Sequence, residues 1–60
     1  MGFLILTDLF SNSLVIKLDE IITVEEEMSE TVVTLKTGRR ITIQQTVDEV
    51  FDELINLRKK

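Results

Sequence analysis

The feature that most constrains this chain is a change in hydrophobic spacing at Thr46. Over residues 3–46, β-branched residues dominate, and the apolar side chains form short alternating or continuous runs that are typical of strands. After Thr46, apolar residues recur three and four positions apart, as on one face of a helix. With only 60 residues, the chain has room for one small core. The sequence therefore predicts a single α+β domain over residues 1–60, a small antiparallel β-meander of four to five strands followed by one C-terminal helix.

Five apolar runs separated by short polar turns predict the strands. The runs cover residues 3–7, 14–18, 21–26, 31–35 and 39–44. The first run, Phe3–Thr7, is apolar on both faces, which is typical of a buried strand. In the second run, Leu14, Ile16 and Leu18 share one face.

The turn before the last strand can be predicted to its register. With a three-residue loop, Lys36–Gly38, Val33 lies opposite Ile41 and the apolar residues of both strands share one face. A two-residue loop would place them on opposite faces. Burial of one face therefore favours the longer loop, in which Gly38 takes the left-handed conformation.

The helix is predicted from residue 47 to about residue 58. Its apolar stripe consists of Val47, Val50, Phe51, Leu54 and Leu57, with Ile55 beside them. Thr46 and Glu49 stand three positions apart and predict a capping box, in which each side chain binds the other residue's amide.

The apolar content exceeds what one short helix can cover, because a helix packs on a single face of a sheet. The residues left for the other face depend on strand rotation and are drawn from Leu4, Ile5, Val15, Val32 and Val33. The three phenylalanines are expected in the core or in an interface: Phe3, Phe10 and Phe51. Chains this short often complete their cores by association, so we expect a homo-oligomer.

Composition excludes several classes of function. The chain has no Cys and no His, which excludes disulfides, thiol chemistry, the usual zinc sites and His-based proton transfer. Eleven acidic and seven basic residues give a net charge of −4, which argues against nucleic acid as a partner. Gly38 alone makes no phosphate loop. We therefore expect no catalytic residue, no cofactor and no metal, and another protein as the partner.

No membrane insertion or export is expected from the first apolar run. Thr7 and Asp8 end it far short of the roughly 20 residues that a membrane span needs. It also lacks the basic start and the cleavage site of a signal peptide. Together with the absence of Cys, this pattern predicts a cytoplasmic protein.

Two charged clusters are the candidate partner-binding residues. The acidic cluster comprises Glu25, Glu26, Glu27 and Glu30, and the basic cluster comprises Lys36, Arg39 and Arg40. The alternative for both is a solvated surface without a specific partner, since most charge runs have that role. Met28 interrupts the acidic run, where it either anchors a partner or tucks under the turn.

Four segments occur in an order that resembles a known family. They are Ile5-x-x-Asp8-Leu9, Asp19-x-Ile21-x-x-Val24-Glu25, Thr31-Val32-Val33-Thr34-Leu35-x-x-Gly38-Arg39-Arg40-Ile41 and Thr46-Val47-Asp48-Glu49-Val50. Over nearly its whole length, the chain resembles the FlbD/SwrD-type small flagellar, or swarming motility, proteins. The departures lie in turns: Phe10-Ser11, for example, stand where the family usually has Asn-Gly.

The resemblance implies a non-enzymatic accessory protein of flagellar motility or assembly that acts by protein–protein binding. It brings no catalytic residues with it. The alternative function is a small acidic inhibitor or adaptor, for example a phage-encoded one, that binds a basic site on a partner protein.

Overall fold

The computed structural model describes residues 2–58, which form five strands and one helix. The elements are β1 (Phe3–Thr7), β2 (Ser13–Lys17), a 3-10 turn (Leu18–Glu20), β3 (Ile21–Glu27), β4 (Glu30–Leu35), β5 (Arg40–Ile43) and α1 (Val47–Arg58). All strand pairs are antiparallel: β1 pairs with β2, and β3, β4 and β5 form a second sheet in that order. The predicted α+β class is confirmed, with the strands divided between two sheets.

The core lies between the inner faces of the two sheets and the helix. Its buried members are Leu4, Leu6, Ile16, Val33, Ile43 and Val50. Alternation along the strands explains why these residues are the buried ones, because every second residue of a strand points to the same side. In β1, the intervening residues Phe3 and Ile5 therefore face outward and are exposed. Only one of the two apolar faces of β1 therefore packs into the core of the chain.

The two sheets join where β1 and β5 end. The amide of Gln44 donates a hydrogen bond to the Thr7 carbonyl at 2.8 Å, and Asp8 forms an isolated antiparallel bridge with Ile43. The Gln45 side chain completes the junction. Its Oε1 accepts from the Thr7 amide at 3.0 Å, and its Nε2 donates to Thr7 Oγ1 at 3.2 Å. These contacts link residues nearly forty positions apart and close one end of the core.

The β4–β5 hairpin has the register that the apolar pattern predicted. Val33 lies opposite Ile41, and the Gly38 amide donates to the Leu35 carbonyl at 2.9 Å. Gly38 has φ +92°, in the left-handed region. The prediction of a three-residue loop with a left-handed glycine is confirmed.

The predicted capping box at the start of α1 is also confirmed. The Glu49 amide donates to Thr46 Oγ1 at 3.1 Å, and the Thr46 amide donates to Glu49 Oε1 at 2.8 Å. The helix packs mainly against β3 and buries Val50 completely. Leu57 lies near Gly2, where an added Cβ would stand only 3.1 Å from Leu18. The same Cβ would stand 3.8 Å from Leu57, so the last turn of the helix lies within van der Waals distance of Gly2.

Candidate functional site

The β3–β4 hairpin ends in a two-residue turn made by Met28 and Ser29. Glu27 pairs with Glu30, and the two turn residues have φ of 50° and 67°. Two positive φ angles define a type I′ turn, which usually takes Asn-Gly because other side chains are strained there. The Met28 side chain is 96% exposed, so it extends into solvent and does not tuck under the turn.

The acidic cluster surrounds this turn on both sides of the sheet. Glu25 pairs with Val32 and Glu27 with Glu30, so these carboxylates lie on the outer face, opposite the core. Glu26 pairs with the buried Thr31 and lies on the inner side of the sheet. All four glutamates are exposed. The structure therefore gathers the predicted acidic residues and Met28 at one end of the β3–β4 hairpin, which we call the acidic tip.

The basic cluster is divided by the structure. Lys36 and Arg39 flank the β4–β5 turn, at the opposite end of β4 from the acidic tip, and both are exposed. Arg40 starts β5, and its guanidinium forms an ion pair with the Glu27 carboxylate. One residue of each cluster is thus brought into contact, which the sequence pattern did not indicate.

The Arg40–Glu27 ion pair lies on the outer face of the central strand, the face from which Val32 projects. On the outer face, Arg40 lies opposite Thr34, and Glu27 lies opposite Glu30, so the pair spans β4 at the level of Val32. Val32 points away from the core, yet it is only 8% exposed. Long arginine side chains cover apolar surface with their methylene groups. We therefore attribute part of the burial of Val32 to this ion pair, although an exposed ion pair adds little stability by itself.

An apolar groove of about 690 Å³ runs between β3 and α1. Ile22 and Phe51 line it, and both are more than half exposed. The helical spacing predicted that Phe51 belongs to the apolar stripe of α1. Phe51 lies at the edge of this stripe, beside Ile55, and not at its centre. Its exposed position means that the phenylalanine is outside the core.

The β1–β2 loop is organised by Asp8. Its Oδ1 accepts hydrogen bonds from the amides of Phe10 and Asn12, both at 2.9 Å, and Ser11 adopts φ 67°. The Asn12 amide is the main cause of a lowered pKa at Asp8, because it stabilises the ionised carboxylate. This turn holds Phe10 out in solvent.

Two kinds of feature are absent from residues 2–58. In that part of the chain, no three acidic side chains converge on a point that would hold a metal ion. Within the same range, α1 is the one helix of several turns, and it is too short and too polar to cross a bilayer.

Comparison with known proteins gives the family. A model of the FlbD family, described as flagellar and swarming motility proteins, matches residues 4–60. The chain belongs to this family. No curated protein and no solved structure matches it significantly. The FlbD match includes the helix and all three hairpins from Leu4 onward, so every candidate residue lies within it, and the resemblance seen in the sequence is confirmed.

Proposed function

We propose that this FlbD-family protein is a non-enzymatic, cytoplasmic accessory factor of flagellar motility that binds another protein through its acidic tip. Family membership supports the flagellar context. The observation that carries the choice of surface is Met28, which is 96% exposed at the centre of four exposed glutamates.

The chemistry of the acidic tip fits a basic partner with an apolar pocket. Methionine has a flexible, polarizable side chain that adapts to irregular apolar sites. The surrounding carboxylates raise the rate of encounter with a positively charged surface and set its orientation. Because Met28 and Ser29 form the whole turn, the tip is narrow and can enter a cleft.

The strain of the turn supports the same choice. Met28 and Ser29 both hold a left-handed conformation that Gly or Asn would adopt more easily. Unfavourable backbone conformations of this kind concentrate at functional sites, where they fix the position of a side chain. Here the conformation directs Met28 outward.

The test neutralises the net charge of the acidic tip in a swarming bacterium that lacks its own copy of the gene. The tip variant carries Glu25→Lys, Glu26→Lys and Met28→Ala, and it leaves Glu27 to Arg40. A matched control, Asp52→Lys with Glu53→Lys, makes the same change of charge on the exposed face of α1. Each surface change should alter stability by no more than about 0.5 kcal/mol, which circular dichroism and thermal melting check.

We expect the tip variant to fold but not restore swarming, and the helix control to restore it. A second variant, Met28→Ala alone, separates the apolar contact from the charge. If Met28→Ala restores swarming but the full tip variant does not, the tip binds mainly by charge, and added salt should weaken the contact. Full swarming with the folded tip variant would contradict the proposal.

A further inference from the structure

Exposed apolar side chains are concentrated on the β1–β2 hairpin. Among residues 2–58, eight large apolar side chains are at least half exposed, and five of them belong to this hairpin and its loop. The five are Phe3, Ile5, Leu9, Phe10 and Val15. Large apolar patches on small proteins often mark interaction sites.

The hairpin register places three of these side chains together. Phe3 pairs with Lys17, Ile5 with Val15, and Thr7 with Ser13. Since these pairs alternate with the buried pairs, all six side chains project from the same outward surface, which we call the outer hairpin face. Ile5 and Val15 form its centre and are 66% and 65% exposed.

We propose that the outer hairpin face packs against the same face of a second copy of this chain. The charge distribution favours a copy as the occupant. The chain has a net charge of −4, so two copies repel each other at most orientations. None of the six residues on the outer hairpin face is acidic, and Lys17 is its one charged residue. An acidic copy can therefore pack on these six residues without placing a carboxylate against a carboxylate.

Two copies of the outer hairpin face can also pack against each other about a two-fold axis. A two-fold axis parallel to the strands places Ile5 opposite Val15 of the second copy, and Phe3 opposite Lys17 of that copy. An axis across the strands places Val15 opposite itself and Lys17 opposite Ser13 of the second copy. In neither arrangement does Lys17 face its counterpart, so the isologous contact has no like-charge pair. The first arrangement adds a cation–π contact to Phe3.

The size of the face predicts a weak dimer. Five-residue strands are about 17 Å long, and two strands are about 10 Å wide. A stable interface buries about 800 Å² per partner, which is more than this area provides. The neighbouring Leu9 and Phe10 enlarge the contact, but we still expect dissociation in the micromolar range. The outer hairpin face and the acidic tip lie on different hairpins, so dimerisation can occur with or without a partner at the tip.

Sedimentation equilibrium and light scattering across the micromolar range test the proposal. The apparent mass should rise from the 6.9 kDa of one chain toward twice that value. The outer-face variant, Ile5→Thr with Val15→Thr, keeps β-branched residues in both strands and should weaken association by about tenfold or more. Ile22→Thr is the matched control, because Ile22 is an exposed apolar residue on β3, away from this face, and should leave association unchanged.

Three results would overturn the proposal. A mass of one chain over the whole micromolar range would show that no dimer forms. A folded outer-face variant that associates as the wild type does would place the contact elsewhere. Flotation of monomeric wild type with phosphatidylcholine–phosphatidylglycerol vesicles, lost in the outer-face variant, would assign the face to a lipid surface.

Discussion

Val15 and Val32 both point away from the core, but their surroundings differ. Val15, on the two-stranded sheet, is 65% exposed, whereas Val32, on the three-stranded sheet, is 8% exposed. Val32 occupies the central strand, with Glu25 beside it on β3 and Thr42 beside it on β5. Val15 has a neighbour on one side only, Ile5. A third strand therefore protects an outward-facing apolar residue even where no second layer covers it.

The outer faces of the two sheets therefore differ in the side chains that cover them. In the three-stranded sheet, polar side chains surround Val32, and the Arg40–Glu27 ion pair crosses over it. The two-stranded sheet has Ile5 and Val15 at its centre and no charged pair across them. An isolated pair of strands is marginally stable in water, so β1 and β2 rely on the core that they cover on the other side.

The largest expected effect separates the two faces of β1. Leu6→Ala removes a fully buried side chain and should lower the free energy of unfolding by about 2–5 kcal/mol, because it leaves a cavity in the core. Ile5→Ala, on the exposed face of the same strand, should lower it by less than about 1 kcal/mol at concentrations where the chain is monomeric. Urea denaturation of both variants checks this, and equal losses would show that β1 is covered on both sides within one chain.

Gly38→Val tests the turn of the three-stranded sheet. An added Cβ at Gly38 would meet no atom within 4 Å, so the expected loss of about 1–2 kcal/mol comes from the left-handed backbone alone. Gly38→Asn is the control, since asparagine tolerates this conformation and should lose less. Thermal melting measures both, and an unchanged melting temperature for Gly38→Val would contradict the assigned conformation.

A direct comparison of the two outward valines comes next. Val32→Ala should lower the free energy of unfolding by about 1 kcal/mol more than Val15→Ala, because its methyl groups are buried and those of Val15 are solvated. The same substitution on a strand in both places cancels most of the intrinsic strand preference. Chemical denaturation of the monomer gives the difference. Equal values would show that the burial of Val32 has no energetic consequence.

Substituting the two turn residues of the acidic tip should stabilise the fold. Met28→Asn with Ser29→Gly supplies the pair that a type I′ turn prefers and should raise the free energy of unfolding by about 1 kcal/mol. If Met28 anchors a partner, the same variant should also lose swarming function although it is more stable. A loss of stability would mean that the turn is of another type.

Local features of this fold were predictable, and distant ones were not. The β4–β5 register and the Thr46–Glu49 capping box involve residues within ten positions of each other, where spacing and turn chemistry decide the outcome. The Gln45 contacts to Thr7 span 38 positions and depend on how the sheets meet. No pattern in the sequence indicated that the five strands would divide between two sheets.

In the candidate site, too, local features were predictable and those that depend on distant residues were not. Contiguity in sequence was enough to gather the acidic tip, because all its residues lie on one hairpin. The exposure of Phe51 and the burial of Val32 depend on neighbours from other elements, which periodicity does not specify. Alternation showed that β1 is apolar on both faces, but which of Leu4 and Ile5 faces the core was settled by the pairing in three dimensions.

The smallest expected effect concerns the β1–β2 loop, whose conformation depends on an ionisable group. The amides of Asn12 and Phe10 hold the pKa of Asp8 below its ordinary value of 3.8. As the pH falls toward and below that value, the unfolded chain takes up a proton at Asp8 before the folded chain does, so stability decreases. Above about pH 5, both states are ionised at Asp8 and the contribution is constant.

Asp8→Asn keeps the Oδ1 acceptor and removes the charge. The melting temperature of the wild type should therefore exceed that of Asp8→Asn by a constant amount above about pH 5, and the difference should shrink on acidification through the pKa of Asp8. A difference that stays constant down to the acid transition would show that hydrogen bonding without charge holds this loop.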